Sequence, residues 1–126
     1  MITVGIDVGS ISAKAALIKD GELIGSRVML TGYNARNAGE KVFVDLLAKL
    51  GIGKDAVDRI VATGYGRNSV DVADKAVTEI TCHAAGAHFQ DPSVRCVIDI
   101  GGQDSKAIAM DTTGRVTDFA MNDKCA

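Results

Sequence analysis

One nine-residue pattern occurs twice in this chain, and it constrains the fold more than any other feature. Ile6-Asp7-Val8-Gly9-Ser10-Ile11-Ser12-Ala13-Lys14 overlays Ile98-Asp99-Ile100-Gly101-Gly102-Gln103-Asp104-Ser105-Lys106 without a gap, at a constant offset of 92. Ile, Asp, Gly and Lys are identical at four of the nine positions, and Ala15 matches Ala107. Each copy runs an apolar, β-branched segment into an acid, places a glycine two residues later, turns tightly and enters a second apolar run. The chain therefore holds two related strand–turn–strand units.

Such a turn suits phosphate and metal chemistry. Glycine lets the backbone approach a ligand, and successive N–H groups form an anion-binding concavity. Ser10 and Ser12 add hydroxyl donors and Lys14 adds a positive charge. An Asp at the strand end repels phosphate, but it can hold Mg²⁺ or orient a water. Asp-x-Gly alone also ends strands in ordinary turns, with the acid accepting local N–H bonds. The duplication favours nucleotide binding: two such hairpins facing each other would clamp a triphosphate from both sides.

The rest of the sequence gives this motif an α/β setting. Residues 2–8, 12–19 and 22–30 read as three antiparallel strands, with Asp20-Gly21 as a two-residue hairpin turn. Val42, Phe43, Leu46, Leu47 and Leu50 recur at helical spacing before Gly51. They predict an amphipathic helix over 38–50, with Asn37 as its N-cap and Glu40 completing a capping box. A strand over 58–63 leads to Gly64-Tyr65-Gly66. Alanine-rich residues 68–89 read as mostly helical, in one or two pieces, up to the break at Asp91-Pro92. Strands at 94–100, 104–110 and 115–121 follow, and no helix comes after them. A three-stranded sheet with a bare apolar face stands poorly alone, so the chain reads as an interrupted protein.

Composition closes off other classes. Hydrophobic residues make up 47% of the 126 and charged residues 24%, a globular balance. Net charge is −2 with the signs interspersed, unlike a nucleic-acid binder. No apolar run approaches the roughly 18 residues that span a bilayer, and Met1-Ile2-Thr3 lacks the basic n-region of a signal peptide, so no membrane role is expected. Three cysteines, at 82, 96 and 125, make a disulfide framework improbable and a reducing cytoplasm the expected setting. Cys82, His83, His88 and Cys96 are out of phase for a zinc site on one helix and read as parts of a packed helix and strand.

Four strings carry a family resemblance: Gly5-Ile6-Asp7-Val8-Gly9-Ser10, Ala62-Thr63-Gly64-Tyr65-Gly66-Arg67-Asn68, Ile98-Asp99-Ile100-Gly101-Gly102-Gln103-Asp104 and Met121-Asn122-Asp123-Lys124-Cys125-Ala126. The paired hairpins resemble the two phosphate loops of the actin, Hsp70 and sugar-kinase superfamily. The four strings together, in order over the whole chain, resemble the activator (component A) ATPases of 2-hydroxyacyl-CoA dehydratases and benzoyl-CoA reductases.

The resemblance implies an actin-like (ribonuclease H-like) ATPase fold: a first lobe over 1–92 and the opening three-stranded unit of a second over 93–126. It implies ATP and Mg²⁺ as ligands, with Gly9, Ser10, Ile11, Ser12, Ala13 and Lys14 around the phosphates and Gly101, Gly102 and Gln103 approaching from the second lobe. Asp7 and Asp104 would be the catalytic acids, near Mg²⁺ and the attacking water. Position 11 is often a hydroxyl residue in such loops and is Ile here, which leaves only its backbone N–H for binding.

Members are homodimers that share one 4Fe–4S cluster between subunits, and Cys125 is the expected ligand from this chain, at the start of what the family continues as a helix. A helix N-terminus favours the thiolate that ligates iron. ATP hydrolysis would drive one low-potential electron to the dehydratase or reductase partner, with ferredoxin or flavodoxin as donor. The family's second cluster ligand and its adenosine-holding segment lie beyond position 126. Tyr65 and Arg67 are either a functional loop or a strand-to-helix turn. A sugar or acetate kinase of the same superfamily, which has no use for the Asn-Asp-Lys-Cys string, and a nucleotide-controlled, actin-like filament protein are the other readings.

Overall fold

A computed structural model describes residues 1–101 and 104–122. The chain divides into two compact units, Met1–Val77 and Thr78–Ala126.

In the first unit, β1 (Ile2–Val8), β2 (Ser12–Lys19) and β3 (Glu22–Leu30) form an antiparallel meander, with the boundaries read from the sequence. Asp20 and Gly21 both take positive φ, 51° and 83°, the signature of a type I′ hairpin. After helix α1 (Ala35–Leu50), β4 (Arg59–Thr63) returns beside β1 in parallel, and a two-residue β5 (Lys75–Ala76) pairs with β4. The sheet order is β3-β2-β1-β4-β5.

Alternation along the strands sends one set of side chains to α1: Val4, Ile6 and Val8, then Ala13, Ala15 and Leu17, then Ile60 and Ala62. They pack on Ala38, Val42, Phe43, Leu46 and Leu47 of the helix, and this cluster is the core. The opposite face of β1, β2 and β4 carries Asp7, Lys14 and Thr63.

The helix begins three residues before the expected start. Asn34, not Asn37, is its N-cap, and the Asn34 side chain accepts a hydrogen bond from the Asn37 N–H at 3.1 Å. At the other end, Gly51 N–H donates to Ala48 O and Ile52 N–H to Leu47 O, a Schellman closure.

The expectation of helix through 68–89 is corrected: only α2 (Glu79–Gln90) is α-helical. The preceding segment is drawn along β4 instead. Asp74 N–H bonds Ile60 O, Ile60 N–H bonds the Asp74 carboxylate, and Val77 N–H bonds Ala62 O, each at 2.8 Å. Buried Val70 anchors it to the core. Tertiary pairing outweighs a weak local preference.

The second unit is α2 with an antiparallel sheet of β6 (Cys96–Ile100), β7 (Ser105–Met110) and β8 (Val116–Asn122), in the order β6-β7-β8. Ala84 of α2 packs on Ile108 and Met110, with Ile80, Ala87, Val94, Val97 and Val116 around them. This sheet thus has a helical cover that sequence reasoning did not give it. Because α2 packs here, it belongs to the compact unit that begins at Thr78.

Candidate functional site

The first hairpin is closed by Gly9 N–H donating to Ser12 O at 2.9 Å. Thr31, buried just after β3, fastens it from behind: its hydroxyl donates to Gly9 O at 2.8 Å and its N–H to Ile11 O at 3.0 Å. Two loop carbonyls are thereby tied into the protein. The Ser10 and Ile11 N–H groups donate to no atom among the described residues, and both residues are exposed. A loop with its carbonyls turned in and its amides free is arranged for an anion. Ala13 differs from its neighbours, since its side chain lies in the core and its backbone in the β1–β2–β3 ladder.

Asp7 and Lys14 are direct cross-strand partners, with Nζ 3.6 Å from Oδ2. Both side chains reach solvent, 33% and 45% exposed, so the pair is a weak surface interaction and its charges remain available to a ligand.

The Gly64-Tyr65-Gly66 string stands directly behind Asp7. Gly64 has φ +91°, and a Cβ there would fall on the Asp7 carboxylate and within 2.5 Å of Val8 O. Gly66 N–H donates to Val8 O at 2.8 Å, and a Cβ on Gly66 would press on Val8 and Ala35. The string is a tight turn into a short 3₁₀ segment, Arg67–Ser69. The Arg67 guanidinium donates back to Gly64 O at 3.0 Å, while Tyr65 projects into solvent. Both glycines are needed because the strand end carrying Asp7 is so close.

The second hairpin repeats the first. Gly101 N–H donates to Asp104 O at 2.8 Å, the counterpart of the Gly9–Ser12 bond, and Asp99 and Lys106 are cross-strand partners as Asp7 and Lys14 are. The environments differ sharply, however. The Lys106 side chain is 3% exposed, with its ammonium 2.8 Å from Asp104, 3.5 Å from Asp99 and 3.5 Å from Glu79 of α2. His83 Nδ1 lies 3.7 Å from the same Asp99 oxygen. Burial pulls the Lys106 pKa down, but the Asp104 hydrogen bond and the charges of Glu79, Asp104 and Asp99 outweigh it, so the net shift is upward. Lys14 is thus a cation a phosphate can reach, whereas Lys106 is consumed by carboxylates.

Gly102, Gln103 and Cys125 lie outside the described residues. Cys82 is half-buried and Cys96 exposed, both as free thiols, and His88 bonds Thr112 O at 3.0 Å. Among the described residues no three His, Cys, Asp or Glu side chains converge to hold a metal. No helix among the described residues is long and apolar enough to cross a membrane.

Sequence reasoning missed Thr63. It is the register partner of Asp7 on β4, and its buried hydroxyl oxygen has no hydrogen-bond partner among the described residues. Its sequence signals were its place at the end of a strand, just before Gly64, and in the Ala62–Asn68 string.

Comparisons with known proteins agree with this geometry. The activator of lactoyl-CoA dehydratase from Anaerotignum propionicum is 45% identical across 100% of this chain, which covers 49% of that protein. Among solved structures, component A of the (R)-2-hydroxyglutaryl-CoA dehydratase of Acidaminococcus fermentans superposes with a TM-score of 0.92 at 42% identity, over 100% of this chain and 49% of that one. The activator of the 2-hydroxyisocaproyl-CoA dehydratase from Clostridium difficile, solved with bound ADPNP, gives 0.88 at 40% identity, over 100% and 47%. The fold is that of an actin-like ATPase domain. The chain spans about half the length of the curated relatives it matches. The model of the BadF/BadG/BcrA/BcrD ATPase family matches residues 4–126, and this chain belongs to that family.

Proposed function

We propose that this chain is the nucleotide-gripping part of an ATP-hydrolysing activator, which passes one low-potential electron to a 2-hydroxyacyl-CoA dehydratase or benzoyl-CoA reductase. The observation that carries the reading is the duplicated hairpin: both copies close with the same backbone hydrogen bond and present an acid at the same register position. The names of the relatives, dehydratase activators above all, support the choice of partner.

In this reading the Ser10 and Ile11 amides and the Lys14 ammonium receive the ATP phosphates, with the Ser10 and Ser12 hydroxyls beside them. Gly101, Gly102, Gln103 and Asp104 form the second phosphate-binding hairpin, by the repeat of the first. Asp7 and Asp104 orient the attacking water, and Mg²⁺, when bound, neutralises charge on the phosphates. The back-tied carbonyls of Gly9 and Ile11 keep the loop from reorganising, so its dipoles act without rearrangement.

The activator works as a homodimer in the cytoplasm, with ferredoxin or flavodoxin as donor. A 4Fe–4S cluster shared by the two subunits supplies the one-electron chemistry; it takes four thiolates, and Cys125 from each subunit supplies two. The 126-residue chain is expected to hydrolyse ATP poorly and to retain less than a full cluster. Anaerobic reconstitution with iron and sulfide, read by iron content and thiolate-to-iron absorbance, checks this. Cys125→Ser should abolish the iron that does bind. A full, stable cluster in the wild-type chain, or iron retained by Cys125→Ser, would overturn the ligand assignment.

A further inference from the structure

Lys14, Asp7 and Thr63 occupy one row across three adjacent strands, β2, β1 and β4, on the face opposite the α1 core. Neighbouring strands stand about 4.8 Å apart, so the row spans roughly 10 Å, the size of a phosphate with its bound water. Two members of the row face each other as an ion pair. The third is anomalous: Thr63 Oγ1 is the one buried side-chain polar atom with no partner among the described residues. A buried hydroxyl without a partner destabilises a fold, and such groups require an explanation. Valine has the same shape, suits a strand better, and would remove that cost. The backbone next to Thr63 is held with equal insistence, since Gly64 alone permits the Asp7 carboxylate to stay where it is.

We infer that Thr63 is a binding residue of the phosphate site: its side chain, partly exposed, turns its buried hydroxyl outward when a nucleoside triphosphate binds and reaches the terminal phosphate through the water that Asp7 orients. This inference rests on the nucleotide-binding reading and adds a third polar group to the first hairpin. The hydroxyl is kept because the ligand completes its hydrogen bonds, so removing it should weaken binding without weakening the fold.

The test compares Mg·ADPNP with Mg·ADP on the wild-type chain and on Thr63→Val and Thr63→Ser, together with thermal melting of the free proteins. Thr63→Val should lose about tenfold in ADPNP affinity, one hydrogen bond's worth. Its ADP affinity should be unchanged and its melting temperature equal or higher, while Thr63→Ser should bind ADPNP as the wild type does. Thr63→Ala, also without a hydroxyl, should show the same selective loss even if it melts lower. Equal binding by wild type and Thr63→Val overturns this inference and leaves the nucleotide reading standing. Equal losses for ADP and ADPNP, or a Ser variant as impaired as Val, also overturn it. A wild-type chain that binds neither nucleotide overturns both.

Discussion

Lys106→Met is expected to destabilise the second unit by about 3 kcal/mol, because a buried cation leaves three carboxylates facing one another. The estimate sits at the low end of the range for broken buried ion pairs, since Glu79, Asp99 and Asp104 are each about a third exposed and water can screen them. The duplication supplies the control. Lys14 stands at the equivalent place in the first hairpin, is 45% exposed and meets one carboxylate at 3.6 Å, so Lys14→Met should cost under about 1 kcal/mol.

The difference should persist across pH in a defined way. The folded pKa of Lys106 is raised above its ordinary 10.5, so its contribution is complete below that value and disappears only as pH climbs through the higher folded value. Hydrogen exchange of the Ile108 amide, together with urea denaturation, measures both variants. Equal effects of the two substitutions would refute the claim that the repeats have diverged in role.

The second large effect is at Gly64. Gly64→Ala puts a Cβ into the left-handed region at φ +91°, a cost of about 1–2 kcal/mol, and also against Val8 O and the Asp7 carboxylate, which must move for a further 1–3 kcal/mol or so. We expect about 2–5 kcal/mol in total. Gly21→Ala separates the two contributions, because Gly21 has φ +83° but nothing within 4 Å of a Cβ, and should cost about 1 kcal/mol. Urea denaturation of the two variants checks this. If they lose the same stability, the close packing of Gly64 behind Asp7 is not what holds that residue as glycine.

Much of this architecture is legible in the residues, and the exceptions have physical causes. The first three strands keep their expected limits because a period of two and an Asp-Gly turn are strong local signals. The start of α1 was misplaced because Glu40 suggested a capping box from Asn37, whereas Asn34 caps with Asn37 at the third helical position. Residues 74–77 were read as helix because their hydrogen bonds go to β4, a long-range pairing that no local pattern displays.

The same limitation hid Thr63, which meets Asp7 only through the parallel pairing of β1 with β4. It also hid the different fates of Lys14 and Lys106. They match in the repeat, but Glu79 reaches Lys106 from a helix that packs on the second sheet alone. Local strings revealed that the hairpin is duplicated; burial decided which of its two lysines stays exposed.

The most direct trial of the account is to follow the backbone amides while Mg·ADPNP is added under strict exclusion of oxygen. The account predicts that Ser10, Ile11 and Lys14 in one hairpin and Gly101 and Asp104 in the other shift together, with one common Kd. Shifts confined to one hairpin, two unrelated Kd values, or no response at all would contradict the proposal that both hairpins bind nucleotide phosphate.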